Sequence, residues 1–163
     1  MNISGLLNSG AKTLKQNKIK THQLDSELVL SNLLKKKRED LLTNLNAEVS
    51  KNIIDDFEKL IFRRANREPL AYILKKKEFW SKDFFVDRNT LIPRPETELL
   101  CESVIKIFKN KNLYILDIGT GTGYIILSIL SEIKGAKGIA LDISRKAIKV
   151  AKKNSNKLGL SKR

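Results

Sequence analysis

Apolar residues return every three or four positions through the first 66 residues, the spacing of helices that bury one stripe. Ile3, Leu6, Leu7 and Leu14 share one side of a first helix. Leu24, Leu28 and Leu34 follow a capping-type Thr21 in a second, and Val49, Ile53, Phe57 and Leu60 step by four, four and three along a third. Residues 1–66 therefore read as a helical domain. Between Leu70 and Pro93 the rhythm breaks. Tyr72, Phe79, Trp80, Phe84 and Phe85 cluster with Ile73 and Val86, and EFWSKDFFVD reads as two short strands about Ser81 to Asp83. That hairpin makes residues 67–94 a connector. Pro95 then opens a further helix, with Glu96 and Glu98 at the positive end of its dipole and Leu100, Val104 and Ile107 on one face.

After Lys111 the pattern changes again. LYILDI is an apolar run suited to a buried strand, GTGTG a turn, and YIILSILSEI a helix; GIALDI is a second strand, and SRKAIKVAKKNSNKL a helix capped by Ser144 with Ala147, Val150 and Ala151 inward. Strand, helix, strand, helix implies parallel pairing through a right-handed crossover. The expected class is α/β, with residues 95–163 opening a Rossmann-like sheet behind the helical domain and the hairpin. Two such strands covered only by helices at 123–133 and 144–157 should leave one edge and much apolar surface open.

Composition narrows this picture modestly. The 163 residues are 41% hydrophobic, enough for one domain or two small ones. The lone Cys101 excludes an intramolecular disulfide, and no stretch reaches the roughly 20 apolar residues of a membrane helix, so a reducing, cytoplasmic setting without membrane contact is expected. No acid precedes Asp25, but arginine is also missing there, which argues against a transit peptide. The net charge of +14 invites a polyanionic partner, RNA or the ribosome, yet its lysines are spread from Lys12 to Lys162. Only LKKKR, LKKKE and NKLGLSKR cluster, and these read equally well as solvated faces.

The glycine loop carries more chemistry. Gly119, Gly121 and Gly123 let the chain turn sharply and bring backbone against a ligand at a helix start. A dinucleotide fingerprint would place its last glycine at 124, where Tyr124 stands. Asp117, two residues ahead of Gly119, would repel a pyrophosphate and favour a ligand with positive charge. Asp142 closes the next strand 19 residues after Gly123, placed for ribose hydroxyls. S-adenosylmethionine, with its ammonium and sulfonium, fits this pattern better than NAD or a purely structural turn. The candidate cofactor residues are Asp117, Gly119, Thr120, Gly121, Thr122, Gly123 and Asp142.

LAYILKKKEFWSKDFFVDRNTLIPRPETELL, followed by ILDIGTGTGYIILSIL and ALDISRKAIKVAKKN, resembles the peptide chain release factor glutamine methyltransferases, the HemK/PrmC family. TLIPRPETE is the segment that separates this family from other methyltransferases. The resemblance implies a class I S-adenosylmethionine-dependent fold. It implies methyl transfer to the side-chain amide of the GGQ glutamine in class I release factors, and a helical domain that helps recognise them. Carried over, Gly119 to Gly123 line the methionine and adenosine, Asp117 faces the methionine end, and Asp142 holds the ribose.

Two departures stand out. Lys75 occupies a position where the family usually has glycine, before the hairpin. The family orients its poorly nucleophilic amide with an N-P-P-Y motif, and a chain with only Pro69, Pro93 and Pro95 has no Pro-Pro pair. No catalytic residue is therefore assigned, and the reading is the front portion of a longer enzyme or a truncated product. An RNA methyltransferase, or a non-catalytic remnant that binds cofactor or release factor, are the alternatives. His22 reads as a solvated helix residue, Cys101 as a small hydrophobe and Trp80 as hairpin core; no metal site is expected. Arg94 reads as a partner of Glu98 or a side chain at the site's mouth.

Overall fold

The computed structural model describes residues 1–109 and 111–163, which form two compact units, Met1–Leu74 and Lys75–Arg163. The first holds five helices: α1 (Ile3–Gln16), α2 (His22–Leu34), α3 (Arg38–Leu42), α4 (Lys51–Ala65) and α5 (Leu70–Leu74). Asn2 caps α1 by accepting from Gly5 N at 2.9 Å, and Ile3, Leu6, Leu7 and Leu14 are all buried, as the spacing predicts. Gly10 lies where α1 meets its neighbours so closely that a Cβ would come within 2.6 Å of the Phe57 ring and 2.7 Å of Ser26 Oγ.

The second helix departs from the expected face. Leu24 is exposed and Leu28 and Leu34 are half-buried, while Val29 and Leu30 enter the core beside Asp25, Ser26 and Glu27. This helix packs against α1, α3, α4 and α5, so polar positions are enclosed too, each with a partner. Ser26 Oγ donates to Leu7 O at 2.9 Å, Arg64 Nε meets Asp25 Oδ2 at 2.6 Å, and Arg38 pairs with Glu27. Thr21 precedes α2 but makes no side-chain capping bond. In α4 the buried positions are Phe57 and Ile61, with Ile53 and Leu60 at the margin. Val49 is buried ahead of that helix, its N–H bonded to Met1 O. This unit extends to Leu74, beyond the expected limit at 66, because α5 packs on α2 and α4 and buries Ile73.

The second unit starts with the hairpin, β1 (Lys77–Phe79) antiparallel to β2 (Lys82–Phe84). Trp80 and Ser81 make the two-residue turn, both left-handed at φ 51° and 52°, a conformation usually given to Gly or Asn. The hairpin is more than a connector. Phe79 and Phe84 are fully buried, with Phe79 edge-on to Tyr124 at 4.8 Å. Glu98 does not wait for Arg94; its Oε1 accepts from Trp80 N at 2.7 Å and pins the turn.

A 3-10 turn (Pro95–Thr97) leads into α6 (Glu98–Phe108), followed by β3 (Tyr114–Ile118), α7 (Tyr124–Glu132), β4 (Lys137–Leu141) and α8 (Arg145–Lys157). The buried face of α6 is Cys101 with Val104, Ile105 and Phe108, whereas Leu100 and Ile107 are exposed. Two apolar stripes at helical spacing run along this helix, and periodicity alone cannot choose between them. Contact with α7 selects the stripe centred on Cys101. β3 and β4 pair in parallel, Tyr114 opposite Lys137 through Ile118 opposite Leu141. Ile115 and Ala140 pack with the helices, while Tyr114, Leu116, Ile118, Ile139 and Leu141 are exposed on alternate positions. One sheet face is thus open.

Candidate functional site

The parallel pair sets the candidate site at its carboxyl end. As β3 finishes at Ile118, the N–H groups of Gly119 and Thr120 both donate to Leu141 O at 2.9 Å, which closes the top of the sheet. The loop then turns through three left-handed glycines, Gly119, Gly121 and Gly123, at φ +80°, +56° and +80°. Gly123 N donates to Thr120 O at 2.8 Å, and Gly123 O accepts from Leu127 N to begin α7.

The three glycines are not equivalent. A Cβ built at Gly119 or Gly121 meets nothing within 4 Å, so open space lies against the backbone there. A Cβ at Gly123 would come to 3.0 Å from Leu127 Cδ1 and 3.4 Å from Ala151 Cβ, so this glycine serves helix packing. A cavity of about 270 Å³ where α7, β4 and α8 meet is lined by Gly123 but by no other candidate residue. It lies apart from the open side of the loop.

Two carboxylates bond to the loop. Asp142 Oδ2 accepts from Gly121 N at 2.9 Å and Oδ1 from Ser144 N at 2.8 Å, which ties the loop to the start of α8. Ser144 Oγ in turn accepts from Ala147 N, the expected cap. Asp117 Oδ2 accepts from Thr120 Oγ1 at 2.7 Å. Each carboxylate oxygen has two lone pairs, so acceptor capacity remains on both side chains. Burial, reinforced by the negative charges of Glu98 and Asp117, pushes the Cys101 thiol up to about 11.

The structure therefore brings Asp117, Gly119, Thr120, Gly121 and Asp142 together around the loop. Thr122 differs: it is wholly buried and its Oγ1 has no hydrogen-bond partner. Its carbonyl accepts from Asn154 Nδ2 at 2.9 Å. Asn154 is a residue that sequence reasoning passed over, although 147, 150, 151 and 154 form one inner stripe of α8. A polar residue on that stripe was the available signal. Among the described residues no cluster of His, Cys, Asp and Glu is arranged to hold a metal, and no helix is long and apolar enough to cross a membrane.

Comparison with known proteins agrees with this division. Residues 5–74 match the PrmC N-terminal domain, and residues 109–162 match a methyltransferase domain. The chain is similar to a release factor glutamine methyltransferase of Buchnera aphidicola subsp. Baizongia pistaciae, 41% identical over 84% of this chain and 50% of that protein. It is 35% identical to the protein of that name from Nitratidesulfovibrio vulgaris, over 99% of this chain and 55% of that one. A bifunctional methyltransferase of Rickettsia typhi is 37% identical over 99% of this chain and 35% of its own length. The chain thus spans about a third to just over half the length of these relatives. The chain joins a helical unit that matches the PrmC N-terminal domain to a glycine loop on a parallel α/β sheet that matches a methyltransferase domain, and it is similar over that span to release factor glutamine methyltransferases.

Proposed function

We propose that the chain supplies the release-factor-recognising helical domain and the S-adenosylmethionine site of a release factor glutamine methyltransferase. The observation that carries this reading is the pair of left-handed glycines, Gly119 and Gly121, with open space where side chains would stand and two carboxylates bonded to the loop. Bound there, S-adenosylmethionine supplies an electrophilic methyl group on a sulfonium.

The chain's own residues hold and orient. Asp117, its Oδ2 fixed by Thr120, presents negative charge to the cationic methionine end. Asp142 keeps one lone pair on each oxygen for the ribose hydroxyls while its backbone bonds lock it in place. Gly119 and Gly121 let the backbone approach the ligand, and Gly123 and Thr122 anchor the loop from behind. The methyl-transfer step is assigned to none of these residues. The helical unit, with the positive excess of the chain, steers the encounter with a class I release factor in the cytoplasm.

Calorimetric titration of the chain with S-adenosylmethionine tests the site, and pull-down of unmodified release factor, with and without nuclease, tests the partner. Saturable binding and nuclease-resistant recovery are expected. Failure to bind would sink the cofactor assignment. Recovery only of RNA, abolished by nuclease, would favour an RNA substrate instead.

A further inference from the structure

Asn154 is 1% exposed and sits where the inner stripe of α8 otherwise carries Ala147, Val150 and Ala151. Burying an amide at such a position is costly unless all its groups are bonded. Here they are. Oδ1 accepts from Phe85 N at 2.7 Å, and Nδ2 donates to Phe85 O at 3.0 Å and to Thr122 O at 2.9 Å. The two carbonyls demand the amide nitrogen and the N–H demands the oxygen, so only one orientation of the side chain satisfies the set.

The partners give this bonding its meaning. Phe85 is the first residue beyond β2, on the chain leading to TLIPRPETE. Thr122 lies between the left-handed Gly121 and Gly123, and its carbonyl direction fixes the peptide plane that joins it to Gly123. Asp142 holds the other side of the loop through Gly121 N. One side chain of α8 therefore ties the glycine loop to the exit of the hairpin.

We infer that Asn154 is a positioning residue for the cofactor loop: its amide holds the Thr122 carbonyl and the Phe85 backbone in fixed relation, so loop order and the path of the segment after the hairpin are coupled. The inference rests on the loop being the cofactor site, but its structural half stands independently. Coupling of this kind is reciprocal, so a ligand that orders the loop also protects the Phe85 segment.

Asn154→Asp and Asn154→Ala divide the three bonds differently. The aspartate still accepts from Phe85 N but turns an oxygen toward the Thr122 and Phe85 carbonyls; the alanine releases all three. Amide exchange on the 163-residue chain is read at residues 121–123, at Phe85, and at Ile129 and Leu130 of α7 as a fold control. In Asn154→Asp the loop amides should exchange about tenfold faster while Phe85 stays protected, and in Asn154→Ala both should loosen. The α7 amides should hold in each variant, and S-adenosylmethionine affinity should fall by about tenfold.

Unchanged loop exchange in both variants would overturn the inference. Equal loosening of α7, loop and hairpin in both would also overturn it, because that is general loss of packing. A parent chain that fails to bind S-adenosylmethionine refutes the cofactor reading, while the exchange pattern still decides whether Asn154 holds the loop. If Asn154→Asp does not fold, the exchange pattern of Asn154→Ala alone decides between these outcomes.

Discussion

Gly121 offers the sharpest separation between a loop built for a ligand and a loop built only to turn. Its φ of +56° lies in the left-handed region, which costs an ordinary residue roughly 1–2 kcal/mol and asparagine much less. A Cβ there meets no protein atom within 4 Å, so Gly121→Ala should lose only that backbone cost, and Gly121→Asn less than about 1 kcal/mol. At Gly123 the same backbone cost is joined by a contact of 3.0 Å with Leu127, so Gly123→Ala should lose about 2–3 kcal/mol. If the open space is the ligand's, the order reverses for binding. Gly121→Asn puts a branched amide where the cofactor must approach, and S-adenosylmethionine affinity should fall at least tenfold, about 1.4 kcal/mol, with folding nearly intact. Urea denaturation gives the stability order, and calorimetry gives the affinities. Parental affinity in a stably folded Gly121→Asn would refute the reasoning, because the empty volume would then belong to no ligand.

Four further outcomes concern other residues. Lys75, at φ +53° after α5, should be improved by Lys75→Gly by about 0.5–1 kcal/mol, the left-handed penalty relieved less the added chain entropy of glycine; a loss of thermal stability would oppose this. Arg64→Met leaves the 3% exposed Asp25 without its cation and should destabilise the helical unit by about 3–5 kcal/mol in urea, where a change below about 1 kcal/mol would contradict the buried pair. Burial raises the Cys101 thiol from 9.0 to about 11, so the thiol should resist disulfide reagents at about pH 8 until the chain unfolds. Because the folded value is the higher one, the stability linked to this thiol is complete below pH 9.0 and is lost as pH rises through about 11. The stability difference from Cys101→Ala should track that window, and a flat difference would argue against it.

Helix and strand positions were legible where one face alone was apolar. In α1 the buried Ile3, Leu6, Leu7 and Leu14 are the residues that spacing selects. In α6 spacing offered two stripes, and only the tertiary neighbour α7 selects Cys101 over Leu100. In α2 the inner positions include Asp25 and Glu27, whose cations come from Arg64 and Arg38 at distant points in the chain. No local pattern carries that information, because a buried acid is tolerated only through a partner that sequence does not place beside it.

The site divides along the same line. Alternate glycines between an apolar strand and a helix, with an acid at the end of each strand, sufficed to locate the loop, since left-handed backbone and strand-end geometry are local properties. Which glycine faces open space and which faces Leu127 is not local; it depends on how α7 and α8 close behind the loop. Asn154 stands 32 residues from Thr122 and 69 from Phe85, and reads in sequence as one more polar residue in a lysine-rich helix. Its phase on the helix was the only clue. A chain in which the ligand-facing residues are local and their fixings are remote should respond to substitution in two ways. On the proposed reading of the loop as the cofactor site, changes at Gly121 or Asp142 should act on binding directly, whereas changes at Asn154 should act through the shape that the loop keeps before any ligand arrives.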